Sequence, residues 1–163
     1  MLNMFACKSI DKETINIDDT ATSTINVNKQ KADFTIATTF INDYVRFLHK
    51  HFEGNADTTQ LNWIMQHPLL TKKFKKEYKT LFDAIKADPE MGLDFDPIVD
   101  AQDFPDNGYE IASIDSTNNY FVMKAKEHGG FNITMKLAKE DNRWMVDGCG
   151  VINIPENKMA GRD

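Results

Sequence analysis

No stretch of this chain approaches the roughly 18 to 20 consecutive apolar residues that a membrane-spanning helix needs, so no spanning helix is expected anywhere in its 163 residues. A positive field is missing too. Lys and Arg number 19 against 25 Asp and Glu, a formal net charge of −6. Neutralising phosphates takes a basic surface, which excludes a general nucleic-acid partner. Cysteine is scarce: Cys7 and Cys149 stand far apart and make no disulfide framework. Cys149, in "WMVDGCGVI", reads as a small buried side chain. The four histidines do not converge. His49 and His51 sit two apart on a helix, where side chains diverge, and zinc needs three or four ligands at compatible spacing. His67 and His128 read as surface or boundary residues. Neither a glycine-rich phosphate loop nor a nucleophile elbow occurs, and no metal or cofactor is called for.

What the chain does have is core material, with 41% hydrophobic residues and eleven phenylalanines. That suits one domain with a real core. From Ala32 the apolar residues take helical spacing: Phe34, Ile41, Val45, Leu48 and Phe52 share a face widened by Phe40, Tyr44 and Phe47. Asp33 is the expected N-cap and Gly54 the stop. A short second helix is predicted from Thr58 or Thr59, turning Leu61, Ile64 and Met65 inward and ending before Pro68. A third runs from Thr71 to Lys86. Phe74, Tyr78, Leu81, Phe82 and Ile85 form its stripe, opposite a solvated face of Lys72, Lys73, Lys75, Lys76 and Lys79 balanced by the acidic loop. Beyond residue 108 the period becomes two, and strands are predicted at 109–115, 119–127, 131–140 and 143–154 with hairpin-sized joints. Helices first and hairpins afterwards predict an α+β fold: three N-terminal helices packed on a curved four-stranded antiparallel meander sheet. The domain is placed at 32–155, with a frayed tail at 156–163.

The start, "MLNMFACKS", is apolar up to a cysteine and is followed by the polar stretch "SIDKETINIDDTATSTINVNKQKA". That stretch has no sustained period and reads as a flexible tether over residues 8–31. Apolar residues, a cysteine and then a tether resemble the processed start of a bacterial lipoprotein, with residues 1–7 as the remnant of the signal and Cys7 as the acylated residue. The departure is that only six residues precede Cys7, short of the 7 to 15 apolar residues of a full signal. If Met1 is the true start, the address is cytoplasmic.

One stretch looks most like a site. "DFDPIVDAQDFPD", residues 94–106, holds five aspartates and two prolines. Calcium-loop spacing fails here: aligned on Asp94, Val99 takes the glycine position and Pro105 the glutamate position. The alternative is a stiff connection that Phe95, Ile98, Val99 and Phe104 pin to the core, with aspartates facing water or capping turns. "DPIVDAQDFPDNGYEI" after a lysine-rich helix resembles a signature of uncharacterised bacterial envelope proteins, many of them lipoproteins, grouped as domain of unknown function 3828. Helices followed by a curved sheet are similar to the nuclear-transport-factor-2-like (cystatin-like) superfamily. The resemblance covers about residues 34–154 and is carried by Asp96, Pro97, Ala101, Gln102, Asp103 and Pro105. It implies a fold and an envelope address without an established chemistry, and a structural loop in which Gln102 and Asp103 bond backbone groups.

The expected function is therefore a non-enzymatic envelope domain that binds a protein partner or a small ligand, touching the membrane only through a lipid on Cys7. A narrower version is an immunity protein that meets a toxin through the acidic loop. The rival is a small-molecule enzyme or binder with a pocket between sheet and helices, as in some members of that superfamily. Tyr44, Trp63, Tyr78, Tyr120 and Trp144 are the aromatics available to line such a pocket, and Asp147 is the nearest thing to an inward acid. No catalytic residue is nominated.

Overall fold

The computed structural model describes residues 32–88, 90, 92–127 and 130–161. The expected signal remnant, the tether, Cys7 and His128 lie outside the described residues. Helix α1 (Thr35–Phe52) carries Ala37, Phe40, Ile41, Tyr44, Val45, Phe47 and Leu48 on its buried face. The 3.6-residue period of those positions is what drives the helix onto the core. Asp33 Oδ1 accepts from the Thr35 amide at 3.0 Å, the expected capping role one residue further out. The Gly54 and Asn55 amides close the other end on the carbonyls of His51 and Lys50.

Thr59 caps α2 (Gln60–Gln66) and Thr71 caps α3 (Lys72–Ala87), each through its hydroxyl oxygen. Two expectations fail in these helices. Met65 is exposed, while its neighbour Ile64 is fully buried and Trp63 packs on the core. In α3 only Phe74 and Tyr78 are buried, and Phe82 is 38% exposed. The second half of the helix packs less closely: Leu81 and Ile85 are only partly buried. Lys72 takes its partners from the last hairpin, lying 3.7 Å from Glu140 and 3.6 Å from Asp141, and Lys79 pairs with Asp83 of its own helix; neither reaches the acidic loop.

Strands β1 (Tyr109–Asp115), β2 (Tyr120–Ala125), β3 (Asn132–Glu140) and β4 (Arg143–Cys149) form an antiparallel meander in sequence order. The last strand is shorter than expected because the chain turns back at Gly150, pairing Cys149 with Ile152. Bulges interrupt β1 at Ala112 and β4 at Asp147, opposite the Lys136–Leu137 step of β3, the kind of defect that bends and twists a sheet. The outer edge of β4 is covered by residues 69–71: the Val146 amide donates to Leu69 O at 2.8 Å and the Thr71 amide to Val146 O at 3.0 Å.

The core sits between helices and sheet. Phe40, Ile41, Tyr44, Ile64 and Phe74 meet Tyr109, Phe121, Met123, Ile133, Met135 and Val146, all almost fully buried. Each such apolar side chain contributes about 1.5 to 3 kcal/mol on leaving water. The tail is not frayed throughout: a 3-10 turn, Glu156–Lys158, lies against β3, where the Thr134 hydroxyl donates to Lys158 O at 2.7 Å.

Candidate functional site

Asp96 organises the acidic stretch. Its Oδ1 accepts from the Ile98 and Val99 amides at 2.8 and 3.1 Å, and its own amide donates to Ala101 O at 2.9 Å. The chain is thereby curled into a side-chain-capped turn. Its Oδ2 accepts from Tyr44 Oη of α1 at 2.6 Å and from Gln60 Nε2 of α2 at 2.8 Å. Gln60 also donates to the Tyr44 hydroxyl. With four donors on two oxygens, this carboxylate has little left to offer a cation, and no group of three or more metal-ligating side chains forms among the described residues.

The same turn is locked to the sheet. Val151 donates to Pro97 O at 2.9 Å, and the Cys149 thiol donates to Ile98 O at 3.4 Å. Gly150 sits so close to the Pro97 and Ile98 carbonyls that a Cβ would overlap them, at a φ of +58°. Burial pushes the Cys149 thiol well above its ordinary pKa, with Asp96 adding to the effect.

Of the two residues expected to bond backbone groups, Asp103 does so locally, whereas no such bond is seen for Gln102 among the described residues. Both are exposed, and Asp103 reaches only the adjacent Phe104 amide, at 2.8 Å. Asp96 carries the larger share of the backbone bonding, because the prolyl residue after it starts a turn that returns two amides to its side chain. Pro105 is buried and Phe104 half-buried against His49 and Phe52, with ring centroids 5.0 and 5.8 Å away.

Beside Asp96 lies a groove of about 230 Å³. Tyr78, Leu81, Phe82 and Ile85 form one wall, and Phe95 and Pro97 form the other. The half-exposed second half of α3 thus faces the acidic stretch across a gap. Tyr78 lies near Tyr44 and Asp96, and the Tyr44 hydroxyl donates to Asp96 Oδ2 at 2.6 Å. Burial, then the nearby Asp96, holds both phenols above their ordinary pKa, so they stay protonated. Exposed Asp88, Glu90 and Asp94 give the chain leaving α3 an acidic character next to this groove.

The five aromatics expected to line one pocket are divided. Trp63 packs tilted against Tyr44, ring centroids 5.5 Å apart, and Tyr78 lies on the same side of the sheet, among the helices. Tyr120 pairs with Lys136 and so faces away from the helices, since Met135 and Leu137 on either side point inward. There its ring lies 5.8 Å from the Lys136 ammonium and 5.7 Å from that of Lys158. Trp144 pairs with Lys139 near the last turn, whose ammonium is 5.3 Å from its ring. Asp147 is buried, but it accepts from Thr71 Oγ1 at 2.9 Å and from Lys136 Nζ at 3.1 Å; a paired carboxylate of this kind is a poor general base.

His67 departs from the expected surface position. It is buried beneath Trp63 and Phe40, and its Nδ1 accepts the Leu69 amide at 3.3 Å. Burial lowers its pKa, Asp43 opposes the shift and Lys75 adds to it. Two residues escaped sequence reasoning. Gln60 looks like any polar residue in a first turn. Asn42, on the partly buried flank of α1, accepts from the Tyr109 amide at 2.8 Å and donates to Tyr109 O at 3.1 Å, tying α1 to the first strand. Gly108 leaves no room for a Cβ beside that Asn42 amide.

Among the described residues no helix is long and apolar enough to cross a membrane. No family model, no curated protein and no solved structure matches this chain.

Proposed function

We propose that this chain is a non-enzymatic binding domain of the bacterial envelope, held at a membrane through acylated Cys7, that takes up an apolar side chain of a protein partner in the groove between α3 and the acidic stretch. The observation that carries the reading is Phe82, a phenylalanine 38% exposed in a helix whose earlier aromatics, Phe74 and Tyr78, are buried, facing a groove with apolar walls. Large apolar residues gathered at one concave place, rimmed by charge, mark interaction sites. Asp88, Glu90 and Asp94 beside it favour a partner whose anchor residue is flanked by Lys or Arg.

The chemistry of the polar groups favours binding over turnover. Asp96 is saturated with four protein donors, each oxygen of Asp147 is hydrogen-bonded to a protein donor, and His67 has its acceptor nitrogen occupied by the Leu69 amide. General base catalysis needs an acceptor free to take a proton. The order of three helices and a four-stranded antiparallel meander is consistent with an α+β fold of the kind the resemblance implies.

The reading is tested by expressing the gene in its host with its natural upstream sequence. Mass spectrometry of the N-terminal peptide is expected to find a diacylglyceryl group on Cys7. A stoichiometric partner is expected to co-purify from membranes with the wild type and with Lys76→Asp, and to be lost with Phe82→Asp. An unmodified Cys7 in the cytosolic fraction contradicts the address, and retention by Phe82→Asp contradicts the groove.

A further inference from the structure

A second concavity, of about 400 Å³, opens between α1 and the chain around α2. It lies within the size range of small-ligand sites. Its α1 side carries Asp43, Arg46 and Lys50, at positions i, i+3 and i+7 and therefore on one face of the helix. Its other side carries Asp57, Trp63 and His67. The Trp63 ring is held in place by Phe47 at 5.2 Å, Tyr44 at 5.5 Å and His67 at 4.5 Å. It is an indole wall fixed by the core and half open to solvent.

The polar groups around it have a particular balance. Arg46 and Lys50 are cationic, Asp43 and Asp57 anionic, so the formal charges cancel. Arg46 is paired with Asp43. His67 is a neutral donor here. Its Nδ1 accepts from the Leu69 amide, which leaves the ring proton on Nε2. That Nε2 lies 3.9 Å from Asp43 Oδ2, beyond hydrogen-bond reach. The donor is therefore available to something between them. An anion would meet Asp43 and Asp57, and a cation would meet Arg46 and Lys50. A neutral ligand whose groups both donate and accept meets neither penalty, and a ligand with an apolar ring face can lie on the indole. Sugar hydroxyls are such groups, and the C–H face of a pyranose is such a surface.

We propose that the α1–α2 cleft is a saccharide site in which a neutral pyranose stacks on Trp63 and exchanges hydroxyl hydrogen bonds with Asp43, Arg46, Asp57 and the His67 Nε2–H. The site is separate from the α3 groove and stands or falls independently of the partner reading. The probes are glucose, galactose, mannose, N-acetylglucosamine and disaccharides built from them, with glycylglycine as a zwitterionic control. Saturation-transfer NMR on the full chain is expected to label ring C–H protons of at least one neutral sugar, and titration calorimetry then gives its Kd. Trp63→Ala is expected to weaken that Kd about tenfold or more. Because Trp63 also packs on the core, Asp57→Asn, at an exposed position, is the second variant and is expected to weaken binding several-fold with the melting temperature unchanged. The proposal is overturned if no neutral sugar of the panel is labelled, if labelling survives both substitutions, or if glycylglycine alone binds.

Discussion

At Asp96 one side chain joins α1, α2 and the acidic stretch, because four donors from three segments converge on its two oxygens. Replacing it by Ala leaves the Tyr44 O–H and two turn amides without their acceptor, and is expected to cost about 3 kcal/mol or more in a denaturant melt. Asp103→Ala, exposed and bonded only to its own neighbour, is expected to stay within about 0.5 kcal/mol. The opposite sign is expected at Tyr109. Its ring is fully buried, but its hydroxyl has no hydrogen-bond partner among the described residues. Tyr109→Phe removes that cost and is expected to stabilise the protein by about 1 kcal/mol.

His67 supplies a pH dependence. Its folded pKa lies below the ordinary value of 6.5, so the unfolded chain binds its proton more readily than the folded one. Stability from this residue is complete above pH about 6.5 and is lost as pH falls below that value toward the folded pKa. The melting-temperature gap between wild type and His67→Gln is expected to narrow as pH drops from about 7.5 to about 5.5. A gap that stays constant contradicts a neutral buried imidazole.

At the scale of elements, α3 is two half-helices in energetic terms. Phe74 and Tyr78 hold its first half to the core, whereas Phe82 lies 38% exposed beside the groove. Phe74→Ala is expected to cost about 3 to 5 kcal/mol, and Phe82→Asp less than about 1 kcal/mol. Thermal melts of the two variants separate a core stripe from a binding surface. This distinction was not legible in the sequence, where Phe74, Tyr78, Leu81, Phe82 and Ile85 make one unbroken stripe. Helical period reveals which residues share a face but not where the surface beneath that face ends. Strand positions were more legible: hairpin lengths and alternation around Ile133, Met135 and Leu137 locate β3 to within a residue. The Asp96–Pro97 segment was legible as a structural connection, but the residue that bonds it was not, since any of its five aspartates has the chemistry and only the fold brings Tyr44 and Gln60 to one of them. The split of Tyr120 from Tyr44 and Tyr78 follows from strand parity. The separation of Trp144 follows from its place at the last hairpin, which composition does not encode.

For the whole molecule, the buried core found among the described residues spans 37–154, and the polar sequence before residue 32 has no apolar period. Removing residues 1–30 is therefore expected to leave the melting temperature within a few degrees; a larger fall contradicts the tether reading. The central claim is that the groove beside Asp96 receives a partner's side chain. Its most direct measurement is site-specific photo-crosslinking in host membranes, with a photoreactive phenylalanine analogue at position 82 and, as control, at the exposed position 76 of the lysine face. The account predicts one discrete adduct from position 82, none from position 76, and loss of the first when Glu90 and Asp94 are both replaced by Lys. Adducts of equal yield from both positions, or an adduct from 82 indifferent to those charges, would contradict it.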